Sequence, residues 1–131
     1  MDDKLKIFLI GLACIVTIFI YGILRCRFNR DYLQYKLKIL DFDLWSVTHI
    51  LFYFALTYIY PNEYVYIFIL GILWEISEYI LGGLNPKNIK YLMGECGYMK
   101  KDESWWYGKF SDILANSIGI MLALLLKKYN L

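Results

Sequence analysis

The run YVYIFILGILWEISEYIL, residues 64–81, decides how this chain folds. It is apolar except for two carboxylates, Glu75 and Glu78, which are three residues apart and therefore share one face of a helix. A helix this apolar is typical of a membrane span, which needs about 20 residues. Because ionisable side chains inside a span are costly and usually have a partner, the two glutamates raise the question of what neutralises them.

The composition indicates a membrane protein, since 60% of the 131 residues are hydrophobic and the mean hydropathy is +0.45. Four segments read as spans: 7–24, 44–60, 64–81 and 110–126. We therefore predict an all-α fold, a single integral membrane domain over residues 1–131 with about four transmembrane helices in a bundle. Sheet is not expected, because unpaired strand edges are not tolerated in lipid. A cleaved signal peptide is the alternative interpretation of the first segment.

The connections between the predicted spans differ in character. Residues 25–43 alternate basic and apolar side chains, which indicates an amphipathic segment at the membrane surface, a solvated linker being the alternative. Residues 82–109 are predicted to form a polar loop that ends beside Trp105 and Trp106, residues typical of the membrane interface. The three cysteines, an odd number, are expected to be inert thiols rather than a disulfide framework.

The basic residues are distributed unequally between the two sides that four spans would create. One side receives Lys4, Lys6, Lys127 and Lys128, and the other receives the remaining ten of the 14. Because cytoplasmic loops are enriched in Lys and Arg, both termini are predicted outside the cytoplasm. The net charge of +2 favours anionic lipid headgroups and gives no indication of nucleic-acid binding. The sequence also leaves open whether the protein forms a homo-oligomer.

Polar side chains on three predicted spans fall at one depth in the membrane, because successive spans alternate in direction. They are Asp43, Ser46, His49, Glu75, Glu78, Asp112 and Asn116. Taken singly, each has an ordinary interpretation: an interfacial charge, a hydrogen-bonded core histidine, or an asparagine that joins two helices. Gly71 and Gly119 are small enough to let the helices that carry them approach their neighbours closely.

A shared cation is the preferred explanation of the acidic residues. The second, third and fourth spans contain no Lys or Arg, so the acids must be protonated, reach the interface or bind a cation. Oxygen ligands in this number suit Ca²⁺ or Mg²⁺. A closed zinc site is not expected from one histidine and scattered cysteines. We predict a divalent cation bound by Glu75, Glu78 and Asp112, with Asn116 beside it.

The same residues resemble the base-exchange phosphatidylserine synthase family, membrane enzymes that exchange a phospholipid headgroup for serine. The resemblance covers roughly residues 43–126 and lies in His49, WEISE (74–78) and ESWWYGKFSDILANSIGI (103–120). The chain departs from the family in having Tyr107 where an acid is usual, and in a longer insert between Glu78 and Glu103. The family's asparagine also lies one residue later, relative to its aspartate, than Asn116 does. The resemblance implies calcium as the metal, Glu103 as a further ligand, and a histidine at the reacting headgroup.

A weaker resemblance is to the VanZ-like group of small bacterial membrane proteins. Members share an acid shortly before a histidine, a glutamate in a mid-chain helix, and an Asp-x-x-x-Asn pattern in the last helix. In this chain those positions are Asp43, His49, Glu75, Asp112 and Asn116, and Gly119 matches a glycine that follows the last pattern. This group implies no defined chemistry.

The leading functional hypothesis is a metal-dependent phospholipid headgroup transferase, with a phospholipid and a small polar acceptor, serine, as substrates. His49, the only histidine of the chain, would be the catalytic base. Asp43 and Ser46 would bind substrate, and Trp105 and Trp106 would border the entry for lipid. The alternative is a non-catalytic, VanZ-like protein with a structural polar cluster. A transporter is a third reading, although a cluster at one membrane face outlines no path through the membrane.

Overall fold

The computed structural model describes residues 1–39, 42–83, 106 and 108–129. Over these residues the chain contains four α-helices: α1 (Asp3–Phe28), α2 (Leu44–Ile59), α3 (Tyr64–Gly83) and α4 (Phe110–Lys128). Short 3-10 turns, Tyr32–Gln34 and Pro61–Glu63, precede α2 and α3. The all-α prediction is confirmed. Three helical stretches of the described chain, those holding α1, α3 and α4, are long and apolar enough to cross a membrane, whereas α2 is apolar but shorter.

The ends of the helices follow from local sequence. Asn29 ends α1 in a left-handed conformation, φ 53°, and its backbone N–H donates to the last carbonyls of the helix. Asp43 begins α2 with a capping box, in which its carboxylate accepts from the Ser46 N–H, at 3.0 Å, and the Ser46 hydroxyl accepts in return. Pro61 opens the turn into α3, where its missing N–H costs nothing.

Helices α2 and α4 form the closest pair, and a glycine makes this possible. A Cβ at Gly119 would collide with the backbone oxygen of Ile50. Gly71 of α3 has the same role toward side chains, since a Cβ there would lie 2.9 Å from the Tyr53 hydroxyl. Both glycines therefore permit the close helix contacts that the sequence predicted for them.

Helix α1 is joined to the other three mainly near its ends. Ile7 packs into the buried apolar cluster near one end. Near the other end the ring of Phe19 lies 5.1 Å from that of Trp106, and the ring of Tyr21 lies 5.4 Å from that of Trp45. Between these contacts α1 stands away from α2 and α3, and an apolar groove separates them.

The described part of the connection from α1 to α2 contains local structure. Helix α1 continues beyond residue 24 to Phe28, and an isolated bridge pairs Lys36 with Asp43. Asp31 holds this connection to the bundle by accepting hydrogen bonds from the Tyr21 hydroxyl, at 2.7 Å, and from the Trp45 indole N–H, at 3.3 Å.

The described cysteines are in two different states. Cys14 is a free thiol on α1, as expected. Cys26 is disulfide-bonded, so the expectation that all three thiols are inert is wrong at this position. A count of cysteines fixes neither their separation in space nor their compartment, and this is why composition did not reveal the bond.

Candidate metal centre

Three helices each contribute one ligand side chain to a buried group at the same end of the molecule. His49 of α2, Glu75 of α3 and Asp112 of α4 have ligand atoms that all lie within 4.8 Å of one another. The two acids are almost fully enclosed, with 4% and 5% of their surfaces exposed. A mixed imidazole and carboxylate set at this separation could hold a metal ion.

The hydrogen bonding of His49 leaves Glu75 without a donor. His49 Nδ1 lies 2.8 Å from Asn116 Oδ1 and 3.6 Å from Glu75 Oε1. Among the described residues, no group makes a hydrogen bond to either carboxylate oxygen of Glu75. The backbone N–H of Lys109 lies near this carboxylate and makes no hydrogen bond to it. Because a buried, unpaired carboxylate is strongly unfavourable, Glu75 needs a positive charge or a proton.

A chain of hydrogen bonds lies beside this group and links Lys109, Asp43, Ser46 and Asp112. Lys109 Nζ donates to Asp43 Oδ2 at 2.8 Å. The other oxygen of Asp43 accepts from Ser46, and the Ser46 hydroxyl lies 2.9 Å from Asp112 Oδ1 as its donor. The start of α2 is thereby tied to the start of α4. Asp43 is neutralised by a lysine, whereas Glu75 is not.

Sequence reasoning missed Lys109 because it lies just outside a predicted span. The second, third and fourth spans do lack basic residues, but Lys109, which precedes α4, reaches back over the start of α2. Its position depends on the path of the preceding loop, which helical spacing does not determine. Tyr53 was also missed, although its spacing of four from His49 places the two rings on one face of α2, 6.3 Å apart.

A small cavity of about 30 Å³ adjoins the buried group, enough for one water molecule or one ion. Its walls include Asp43, His49, Glu78 and Asp112. Glu78 is half-buried and faces this cavity without belonging to the group of three. A further oxygen ligand is therefore available at the edge of the group.

Trp106 is a buried side chain that forms one wall of the cavity. It is 2% exposed and packs against Phe19 of α1 and Trp74 of α3, with ring centroids 5.1 Å and 6.1 Å away. An anchor at the membrane interface would be exposed to lipid headgroups, and Trp106 is not. Its position beside the cavity nevertheless leaves it next to the predicted reaction centre.

The predicted site residues thus fall into groups that the structure places differently. His49, Glu75 and Asp112 converge; Asn116 bonds to His49; Glu78 lines the cavity; Asp43 and Ser46 join α2 to α4; Trp106 is a wall. Glu103 and Trp105 lie outside the described residues. Comparison with protein-family models, with curated proteins and with solved structures gives no match for this chain.

Proposed function

We propose that this chain is a metal-dependent transferase that exchanges the headgroup of a phospholipid, with serine as the acceptor. In this proposal α2 crosses the membrane together with α1, α3 and α4, giving four spans with both termini on the non-cytoplasmic side. The polar end of the bundle then lies at the level of the lipid phosphates. A homo-oligomer is compatible with this arrangement.

The carboxylate of Glu75, which faces the imidazole of His49 at 3.6 Å, carries the proposal. It is 4% exposed, accepts no hydrogen bond from the described residues, and lies within 4.8 Å of ligand atoms from two other helices. A bound divalent cation removes that energetic cost. Calcium is favoured because Glu75, Glu78 and Asp112 offer oxygen ligands, while the Nδ1 atom of His49 is engaged by Asn116.

The hydrogen bond from Asn116 also sets the role of His49. When the Nδ1–H donates to the amide oxygen of Asn116, the lone pair of the imidazole is on Nε2. His49 then accepts the proton of the serine hydroxyl as its oxygen bonds to phosphorus. The bond from phosphorus to the original headgroup oxygen breaks, and the proton passes from His49 to that leaving alcohol. A cation at Glu75 and Asp112 supplies neutralisation of the phosphodiester charge.

A non-catalytic, VanZ-like role is the second candidate, and one observation favours it. The contacts from Lys109 through Asp43 and Ser46 to Asp112 are complete and join two helices. Such a network stabilises a bundle without any chemistry. On this interpretation His49 is a core residue bonded across helices to Asn116.

Headgroup exchange with matched variants separates the two candidates. The purified chain in nanodiscs, given phosphatidylcholine, calcium and labelled serine, should form labelled phosphatidylserine. His49→Gln keeps most of the volume and a hydrogen bond but removes the base, so exchange should fall by at least about 100-fold. Thr57→Val alters a buried residue farther along α2 and should leave exchange intact. Absence of exchange by the wild-type chain under these conditions would leave only the structural role.

A further inference from the structure

An apolar groove lies between α1, α2 and α3. Its volume is about 560 Å³, and its walls are almost entirely hydrocarbon. Helix α1 lines it with Ile7, Gly11 and Ile18, among others, and α3 lines it with Leu70 and Trp74. Helix α4 takes no part, so the groove lies on the opposite side of α2 and α3 from the close α2–α4 contact.

The groove ends at the candidate metal centre. His49, Trp45 and Ile18 line both the groove and the small polar cavity. Away from this end the groove is lined by residues such as Ile7 and Leu56. One end is therefore polar and adjoins two buried carboxylates, and the rest is apolar, which is the pattern of a molecule with a charged head and a hydrocarbon tail.

The length of the groove matches one leaflet of a bilayer. From Ile7 to Ile18 a helix rises about 16 Å. The hydrocarbon core of a bilayer is about 30 Å thick, so one leaflet occupies about 15 Å. A chain of this length that starts at the depth of His49 and runs along α1 reaches Ile7, the residue at the other end of the predicted first span.

We propose that this groove binds one acyl chain of a phospholipid, with the headgroup of that lipid at His49. A space lined by hydrocarbon does not hold water, and an empty space costs packing energy, so the acyl chains of the surrounding leaflet fill it. The position of the headgroup rests on the proposed function, whereas occupation of the groove by a chain does not. Helix α1, which forms one wall, lies outside the segment that resembles phosphatidylserine synthases.

Gly11 is a suitable position for a substitution that fills the groove. It lines the groove, and a Cβ added there would meet no heavy atom within 4 Å. Gly11→Phe therefore fills the groove without forcing the helices apart. Val16 is the matched control, because it is on the same helix, is 58% exposed and does not line the groove.

Photo-crosslinking in nanodiscs tests the inference. The probe is phosphatidylcholine with a diazirine midway along one acyl chain, and labelled peptides are mapped by mass spectrometry. We expect labelling to concentrate on groove residues such as Leu12 and Leu73. Gly11→Phe should reduce it at least about fivefold, and Val16→Phe should not.

Two further measurements keep the outcome decisive. Thr17→Phe fills the groove from another position, and circular dichroism with size-exclusion chromatography shows whether each variant folds. Labelling spread evenly over the outward faces of all helices, or labelling that folded groove variants do not change, would mean annular lipid only and would overturn the proposal. Concentrated labelling without headgroup exchange would refute the transferase and leave the groove as a lipid site. Headgroup exchange together with evenly spread labelling would support the transferase and refute the groove as a lipid site.

Discussion

The substitution Glu75→Gln should stabilise the protein in the absence of calcium and destabilise it, relative to the wild type, when calcium is present. The substitution keeps the volume and removes the charge of a carboxylate that is 4% exposed and has no hydrogen-bond donor among the described residues. Relieving an unsatisfied buried group contributes about 1–3 kcal/mol. We expect the lower end of this range, because glutamine also buries an amide. In a chelator, Glu75→Gln should therefore be more stable than the wild type by about 1 kcal/mol.

Saturating calcium should change the order of the two proteins. A cation at 100 times its Kd stabilises the wild-type chain by about 2.7 kcal/mol. The variant lacks one ligand and should gain little, so it becomes less stable than the wild type by about 1.7 kcal/mol. With roughly 4 °C of Tm for each kcal/mol in a chain of this size, the variant should melt about 4 °C higher in chelator and about 7 °C lower in calcium.

Thermal unfolding in detergent, followed by tryptophan fluorescence, measures both differences. Glu63→Gln is the control. This carboxylate is partly exposed and lies in the turn that precedes α3, 4.0 Å from the Lys4 amino group of α1. Glu75, by contrast, lies well inside α3. An exposed ion pair of this kind contributes about 0–1 kcal/mol, and its loss should leave the calcium response unchanged. A calcium response of full size in Glu75→Gln would exclude Glu75 as a ligand, and no response in the wild type would exclude the cation site.

Two other predictions concern packing and orientation. Gly119→Ala should destabilise the bundle by about 1–3 kcal/mol in the same assay, because its Cβ must displace the backbone at Ile50. Gly11→Ala is the control and should not destabilise it, because the space around Gly11 is open. Equal effects of the two substitutions would refute the role of Gly119. In sealed vesicles we expect Arg30→Cys to react from the cytoplasmic side and Lys4→Cys, both exposed positions, from the other, as the basic residues predict. The disulfide at Cys26 opposes this orientation, since such bonds persist in oxidising compartments; the reversed pattern would show that the disulfide is the better guide.

The parts of the site that depend on helical spacing were predictable from the sequence. Ser46 and His49 share a face because they are three apart, and Asp112 and Asn116 because they are four apart. The alternating direction of the helices then brings both pairs to the level of Glu75. Which residues touch could not be predicted in this way. Spacing does not show that Asn116, rather than a carboxylate, bonds to His49.

Residues in connections were predicted less well, because the path of a loop is not periodic. Lys109 reaches Asp43 from the segment before α4, and Asp31 joins the connection after α1 to Tyr21 and Trp45. Neither contact leaves a signal in the spacing of the chain. The first helix also ends later than the predicted span, at Phe28 rather than residue 24. Its end is set by Asn29, which adopts the left-handed conformation, and hydropathy does not detect such a cap.

The pairing of α2 with α4 also sets an order of events during synthesis. Asp43 and Lys109 are 66 residues apart, so at about 5–20 residues per second the ribosome finishes the second partner about 3–13 s after the first. Until then Asp43 lacks Lys109, Ser46 lacks Asp112 and His49 lacks Asn116, although Asp43 and Ser46 already bond to each other. On the proposal that α2 is a fourth span, its stable insertion is expected only after α4 emerges. Nascent chains arrested before Lys109 should then be extracted from the membrane by alkali or retained at the translocon.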